Sequence, residues 1–423
     1  MYQVVSNPAA LVKEHRRLLS RSRFGPHVSR TVVLLGLTSL FTDISSEMVT
    51  TVLPLYLVYV GGFSPLAFGV IDGLYNGAVA LVGLASGFLG DRFRRHKEIA
   101  ATGYGLSALC KLLLMTVGTA VSAIGAVILI DRAGKGIRTA PRDAMISLST
   151  PERQLGTAFG VHRALDTTGA MIGPLVAFGI LAIAPVAFHS IFLVSFCFAI
   201  LGLGILTLFV EPKPVAREAA APARPPSLRG SFRLVRIPRF RALLIAGGAL
   251  SLATASDAFL FLALKEDLEL GTSLFPLLFV GSASVYMVLA VPMGRLADRV
   301  GRGRVFLAGY VLLLGVYAAV LSPVAGWAVV VAALAMLGAY YAATDGVLMA
   351  LGSSVVPQDV RGSGLALLRT STSIARLFAS LAFGALWTLW GMNVAIVCFG
   401  AALAAATVLA AVVLVRTPAP AHD

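Results

Sequence analysis

Apolar runs of about 20 residues recur along the whole chain, and a helix of that length crosses the hydrocarbon core of a bilayer. No other feature narrows the possible folds as far. A soluble domain carries about a quarter charged residues. Here 13% of 423 residues are charged and 58% are hydrophobic, too little polar surface to cover a water-soluble globule. Backbone groups in lipid must be satisfied internally, which leaves helices or closed barrels. A barrel would show short alternating segments instead of long runs. The expectation is an all-α membrane protein that crosses the bilayer many times.

Twelve spans are predicted, near 31–60, 66–90, 98–117, 121–149, 155–183, 186–210, 241–264, 273–296, 303–323, 326–352, 361–388 and 391–415. A segment rich in Pro, Ala and Arg, residues 211–240, divides them. It reads as a linker, so the expected organisation is a tail 1–30, a six-helix bundle 31–210, the linker 211–240, a second six-helix bundle 241–416 and a tail 417–423. The first apolar run is long and interrupted by acids, unlike a cleaved signal peptide.

The net charge of +14 would suggest nucleic acid in a soluble protein. Here the basic residues gather in alternate loops: the N-terminal tail, DRFRRHK (91–97), the linker and Arg299, Arg302 and Arg304. The opposite loops, GGFSP, APVAF and SPVAG, are bare, and Lys265 in KEDLEL is the main exception. By the positive-inside rule both termini are expected in the cytoplasm, in a cytoplasmic membrane, and nucleic-acid binding is not expected. Cys110, Cys197 and Cys398 are isolated in apolar runs, with no metal or disulfide spacing.

The two halves also repeat. GFLGDRFRRHK (87–97) returns as GRLADRVGRGR (294–304), and PERQLGTAFGVHR (151–163) returns more weakly as PQDVRGSGLALLR (357–369). Gly87, Gly90, Asp91, Arg92 and Arg95, their echo Gly294, Asp298 and Arg299, and the twelve-span plan resemble the major facilitator superfamily (MFS) over essentially the whole chain. The resemblance implies two pseudosymmetric six-helix bundles rocking around a substrate site at their interface. It implies that these motif residues latch one conformation, with Asp91 and Asp298 as acceptors. It also implies that spans one, four, seven and ten line the central cavity.

Charges inside spans are costly and therefore functional candidates. By the same resemblance the third helix of each three-helix unit faces lipid, and the charges follow that division: Asp43 and Glu47 lie in the first span, Asp72 in the second, Asp257 in the seventh, Asp345 in the tenth, Arg369 and Arg376 in the eleventh, and essentially none in the middles of the sixth, ninth and twelfth. The third span has only Lys111. Asp43 and Glu47, four apart, share a helix face. Neighbouring carboxylates repel, so such a pair can load and release a proton; salt-bridging to the fourth or fifth span is the competing reading. In the fifth span His162 and Asp166 share a face with Gly169 and Gly173, and Arg163 reaches Asp166. His162 is either a proton relay through Asp166 or a histidine satisfied by it. GAMIGP, with Gly169, Gly173 and Pro174, resembles the superfamily's antiporter motif; close helix packing is the alternative.

In the fourth span, DRAGKGIRTAPRDA (131–144), Asp131, Lys135, Arg138 and Arg142 stand at spacings of 4, 3 and 4 and form one stripe. The stripe is expected to face the cavity, either as a wall for an anionic substrate or paired with Asp43, Glu47, Asp72 and Asp166. Arg132 with Gly136 resembles a superfamily motif linked to proton coupling. Asp43, Glu47, Arg132, His162 and Asp166 are thus the proton-coupling candidates. Asp72, Asp131, Lys135, Arg138, Arg163, Asp257, Asp345 and Arg369 are the cavity candidates. The function read from all this is proton-coupled efflux of a small organic molecule by alternating access, working as a monomer in the lipid bilayer. The alternatives are a proton-coupled importer of an organic or phosphorylated anion and, from another class, a lipid-handling or enzymatic membrane protein. No cofactor, metal or enzymatic activity is expected: the chain has no metal-ligand cluster, nucleophile elbow or P-loop.

Overall fold

The computed structural model describes residues 29–75, 95–118, 120–150, 155–211, 234–268, 271–324, 326–356 and 361–415. The first half contains α1 (Arg30–Leu55), which continues through a wider turn at Tyr56–Val60, then α2 (Pro65–Tyr75), α3 (His96–Thr116), α4 (Val121–Leu148), α5 (Leu155–Ile183) and α6 (Phe188–Gly204), which also ends in a wide turn, Ile205–Phe209. The second half contains α7 (Pro238–Leu252), α8 (Asp257–Leu268), α9 (Phe275–Val300), α10 (Arg302–Val320), α11 (Trp327–Val355), α12 (Arg361–Trp390) and α13 (Met392–Val415). Among the described residues, ten helical segments are long and apolar enough to cross a membrane. The helix of the fourth span, α4, is not one of these. Its 28 residues include the charged stretch from Asp131 to Asp143, which it can keep only by burying it in protein.

The helix pairings repeat from half to half. In the first, α1 packs on α5 and α6, and α3 on α4 and α6. In the second, α7 packs on α12 and α13, and α10 on α11 and α13. Each pair recurs six spans later, so the architecture is two pseudosymmetric bundles.

The α1–α5 contact shows what the GAMIGP glycines do. A Cβ on Gly173 would stand 2.7 Å from the Ile44 carbonyl oxygen, and one on Gly169 would overlap the Leu40 carbonyl. The two backbones therefore touch, which only small residues permit.

The seventh span departs from the continuous helix expected at 241–264. It breaks at Ala253–Ser256, between α7 and α8. One side chain repairs the break. The Tyr317 hydroxyl accepts from the Ala255 N–H at 2.7 Å and donates to the Ala253 carbonyl at 3.3 Å. Ser256 Oγ then accepts from Ala258 N–H at the start of α8, 3.3 Å away, and Asp257 puts a carboxylate in its first turn. Non-helical backbone at membrane depth is tolerated where protein satisfies it or a cavity lies beside it. Both conditions hold here.

The halves meet at the end that carries residues 61–64. Leu66 N–H donates to Thr388 Oγ1 at 2.9 Å, and the Lys265 ammonium sits 4.1 Å above the Tyr59 ring. Phe259 packs against Phe68 across the interface and against Phe383 and Trp387 on its own side. Toward the opposite end, which the linker joins, Arg163, Asp345 and Arg369 are exposed. They lie roughly 12–15 Å along their helices from that end, at 1.5 Å per residue.

Candidate functional site

Below the aromatic closure lies a cavity of 160 Å³ with walls from both halves. The first half contributes Thr50, Leu53, Phe68, Asp72 and Tyr75. The second contributes the α7–α8 break with Ser256 and Asp257, then Phe279, Tyr341, Arg376 and Ser380. The Asp72 carboxylate accepts from Ser380 Oγ at 2.5 Å and Ser256 Oγ at 3.0 Å, so it ties α2 to the break and to α12. Tyr341 donates to Asp257 at 2.7 Å. The Arg376 Nε is buried with no hydrogen-bond partner.

Two of the cavity candidates, Asp72 and Asp257, line this space. The others lie elsewhere. Asp131 and Arg138 do not face the cavity as the stripe reading expected, because partners from α3 hold them. Asp131 takes the Lys111 ammonium at 2.7 Å and also the Arg132 guanidinium, and the three are 7%, 2% and 3% exposed. Arg138 donates to Ser107 at 3.1 Å and stacks over Tyr104. Lys135 is half-buried and acts electrostatically on Asp43. Arg163, Asp345 and Arg369 are exposed, nearer the linker end, and lie outside the cavity wall.

The proton-coupling candidates divide into two groups. Asp43 on α1 stands beside Asp166 on α5, close enough for the two carboxyl groups to act on each other. Arg142 approaches Asp166 at 3.8 Å and Asp143 at 3.0 Å, and Arg163 reaches Asp166 at 3.4 Å. His162 Nε2 meets Ser39 Oγ at 2.9 Å, and Arg142 donates to the same hydroxyl at 3.3 Å. The carboxyl partner of Asp43 is thus Asp166, not Glu47 as the spacing suggested, because close α1–α5 packing brings the two helices' side chains together. Arg132 belongs instead to the Asp131 triad and lies 4.0 Å from the Tyr75 ring centre, with Glu47 acting on both electrostatically.

Of the latch residues, Gly87, Gly90, Asp91 and Arg92 lie outside the described residues. Asp298 pairs with Arg302 at 2.9 Å on an exposed surface, and neither Arg95 nor Arg299 has an ion pair among the described residues. Sequence reasoning missed Lys111, Tyr75, Tyr341, Ser256 and Ser380 as site groups. Lys111 was visible as the lone charge of its span. The tyrosines and serines carry no local signal, because their partners are distant in sequence.

A cavity walled by two pseudosymmetric helical bundles and capped by aromatic residues at one end fits a membrane transporter. The Major Facilitator Superfamily model matches residues 35–283 and 249–423, and the chain belongs to that family. It is 33% identical over 374 residues to an uncharacterised MFS-type transporter of Methanocaldococcus jannaschii, covering 85% of this chain and 89% of that one. An uncharacterised protein of Mycobacterium tuberculosis is 33% identical over 179 residues, 42% of this chain and 41% of the relative. Among solved structures, the nucleoside transporter NupG superposes with a TM-score of 0.74 at 15% identity, over 92% of this chain and 99% of that one. A bacterial homologue of the human lysosomal transporter Spinster, inward-facing and occupied, gives 0.70 at 15% identity, over 94% and 100%. These two show the shared fold.

Proposed function

We propose that this MFS transporter exports a small organic molecule in exchange for protons, by alternating access across the cytoplasmic membrane. Its six-helix units are 31–210 and 241–416, both termini are cytoplasmic and the chain acts alone. In this reading the structure is the inward-facing state, with the cavity closed on the outside and open toward the linker. The observation that carries the coupling is the carboxyl cluster at the close α1–α5 crossing, where Gly169 and Gly173 meet the backbone of Leu40 and Ile44 and Asp166 stands between Asp43, Arg142 and Arg163. It joins the two helices that form the core of the first half, and Arg142 stands beside it. Arrival or loss of a proton at this carboxyl pair changes whether Arg142 is balanced, and so which packing of α1, α4 and α5 is favoured.

Proteoliposomes with an imposed pH gradient test this. The gradient should drive substrate against proton flow, and Asp43→Asn should abolish that drive while leaving substrate exchange without a gradient. Transport indifferent to both the gradient and the substitution would overturn the coupling. Import of an organic anion is the second reading, favoured by the cationic Arg376 in the cavity wall. The direction of net movement in the same vesicles separates the two.

A further inference from the structure

The cavity wall carries charges of both signs, and among the described residues no ion pair joins them. Arg376 lies in the interior of α12, yet its Nε has no hydrogen-bond partner and no ion pair holds it among the described residues. The groups that act on it are the hydroxyls of Tyr310, Tyr340 and Tyr341 and the carboxylate of Asp257. A cation in that position without a carboxylate in contact with it is costly. Asp257 and Asp72 line the same cavity. Asp257 receives one hydrogen bond from Tyr341, at its Oδ1, and a carboxylate has about four acceptor sites. An anionic ligand would meet two carboxylates, and a cationic ligand would meet the guanidinium. A ligand carrying both charges meets opposite charge at each end.

Size and wall chemistry narrow the choice. A cavity of 160 Å³ is close to the engineered space of about 150 Å³ that holds benzene, so the bound part has roughly six to ten non-hydrogen atoms. Leu53, Phe68, Ile71 and Phe279 supply an apolar wall beside the charges.

We propose that the cavity takes a small zwitterion resembling an amino acid, its carboxylate on Arg376 and its ammonium between Asp257 and Asp72. The proposal rests on the transporter reading above and adds the substrate class.

The purified full chain is titrated with the proteinogenic amino acids, their amides and their N-acetyl derivatives, with thermal stabilisation and calorimetry as readouts. At least one amino acid should bind, and its amide and N-acetyl derivative should each bind about tenfold or more weakly. Arg376→Gln should erase the preference over the amide, and Arg376→Lys should restore part of it. Asp257→Asn should erase the preference over the N-acetyl derivative. Equal binding of an amide or N-acetyl derivative, or no binding by any amino acid, overturns the proposal. The transporter reading is tested separately, by spin-label distances between Leu148→Cys and Ser354→Cys at the linker-side ends of α4 and α11. Two distance populations support alternating access whichever ligand class binds, and a single unchanging distance counts against it.

Discussion

At the scale of residues, the Lys111–Asp131–Arg132 cluster illustrates how charge survives inside a membrane protein. All three side chains are buried, and Asp131 is the one anion that both cations contact. Removing it leaves two adjacent buried cations. Asp131→Asn should therefore cost about 3–5 kcal/mol of stability, read as a large fall in thermal unfolding temperature in detergent. Lys111→Met should cost clearly less, because Asp131 keeps Arg132. Equal losses would show that Asp131 does not hold the cluster. The third-span lysine was legible as a charge but not as a partner, since its distance from Asp131 depends on how α3 lies against α4.

At the scale of elements, two contacts decide how the helices work. The first is the close α1–α5 approach at Gly169 and Gly173. Gly173→Leu should separate these helices and break the Asp43–Asp166 contact. Folded protein would then be recovered poorly, and any that is recovered should have lost its response to a pH gradient. The second is the α7–α8 break, where one hydroxyl serves two backbone groups. Tyr317→Phe leaves a buried N–H unpaired and should cost about 1–3 kcal/mol, measured as a shift in thermal unfolding. The hydrophobic pattern across 241–264 reads as one continuous span, and correctly so for crossing the membrane. The break was invisible because the residue that permits it lies more than 50 positions away, on α10.

At the scale of the molecule, the halves are joined at the end carrying residues 61–64 and along α2, where Gly69, Gly73 and Gly384 bring α2 and α12 into backbone contact. If alternating access is the mechanism, those contacts must open. The short Leu66–Thr388 contact makes this testable. Leu66→Cys with Thr388→Cys, in a chain whose native Cys110, Cys197 and Cys398 are replaced, should form a disulfide that stops transport and leaves substrate binding intact. A reducing agent should restore transport. Full transport by the oxidised protein would show that this end need not open.

Apolar run lengths, alternate basic loops and the repeated Gly-x-x-x-Asp-Arg segments were enough, by themselves, to determine an all-helical membrane protein with two related halves. These properties are set locally, by what a stretch of chain costs to place in lipid and by the 3.6-residue helical period. Asp72 and Asp257 were legible as site candidates for the same reason: a carboxylate within a span needs a use. Only the tertiary structure decided which charges meet. It took Asp131 and Arg138 away from the cavity, gave Asp43 the partner Asp166, and placed Arg376 across from Asp257. Pairing energies depend on separations of a few ångströms between helices. Those separations come from the packing of small residues such as Gly169 and Gly173 against backbone, and a helical wheel does not encode them.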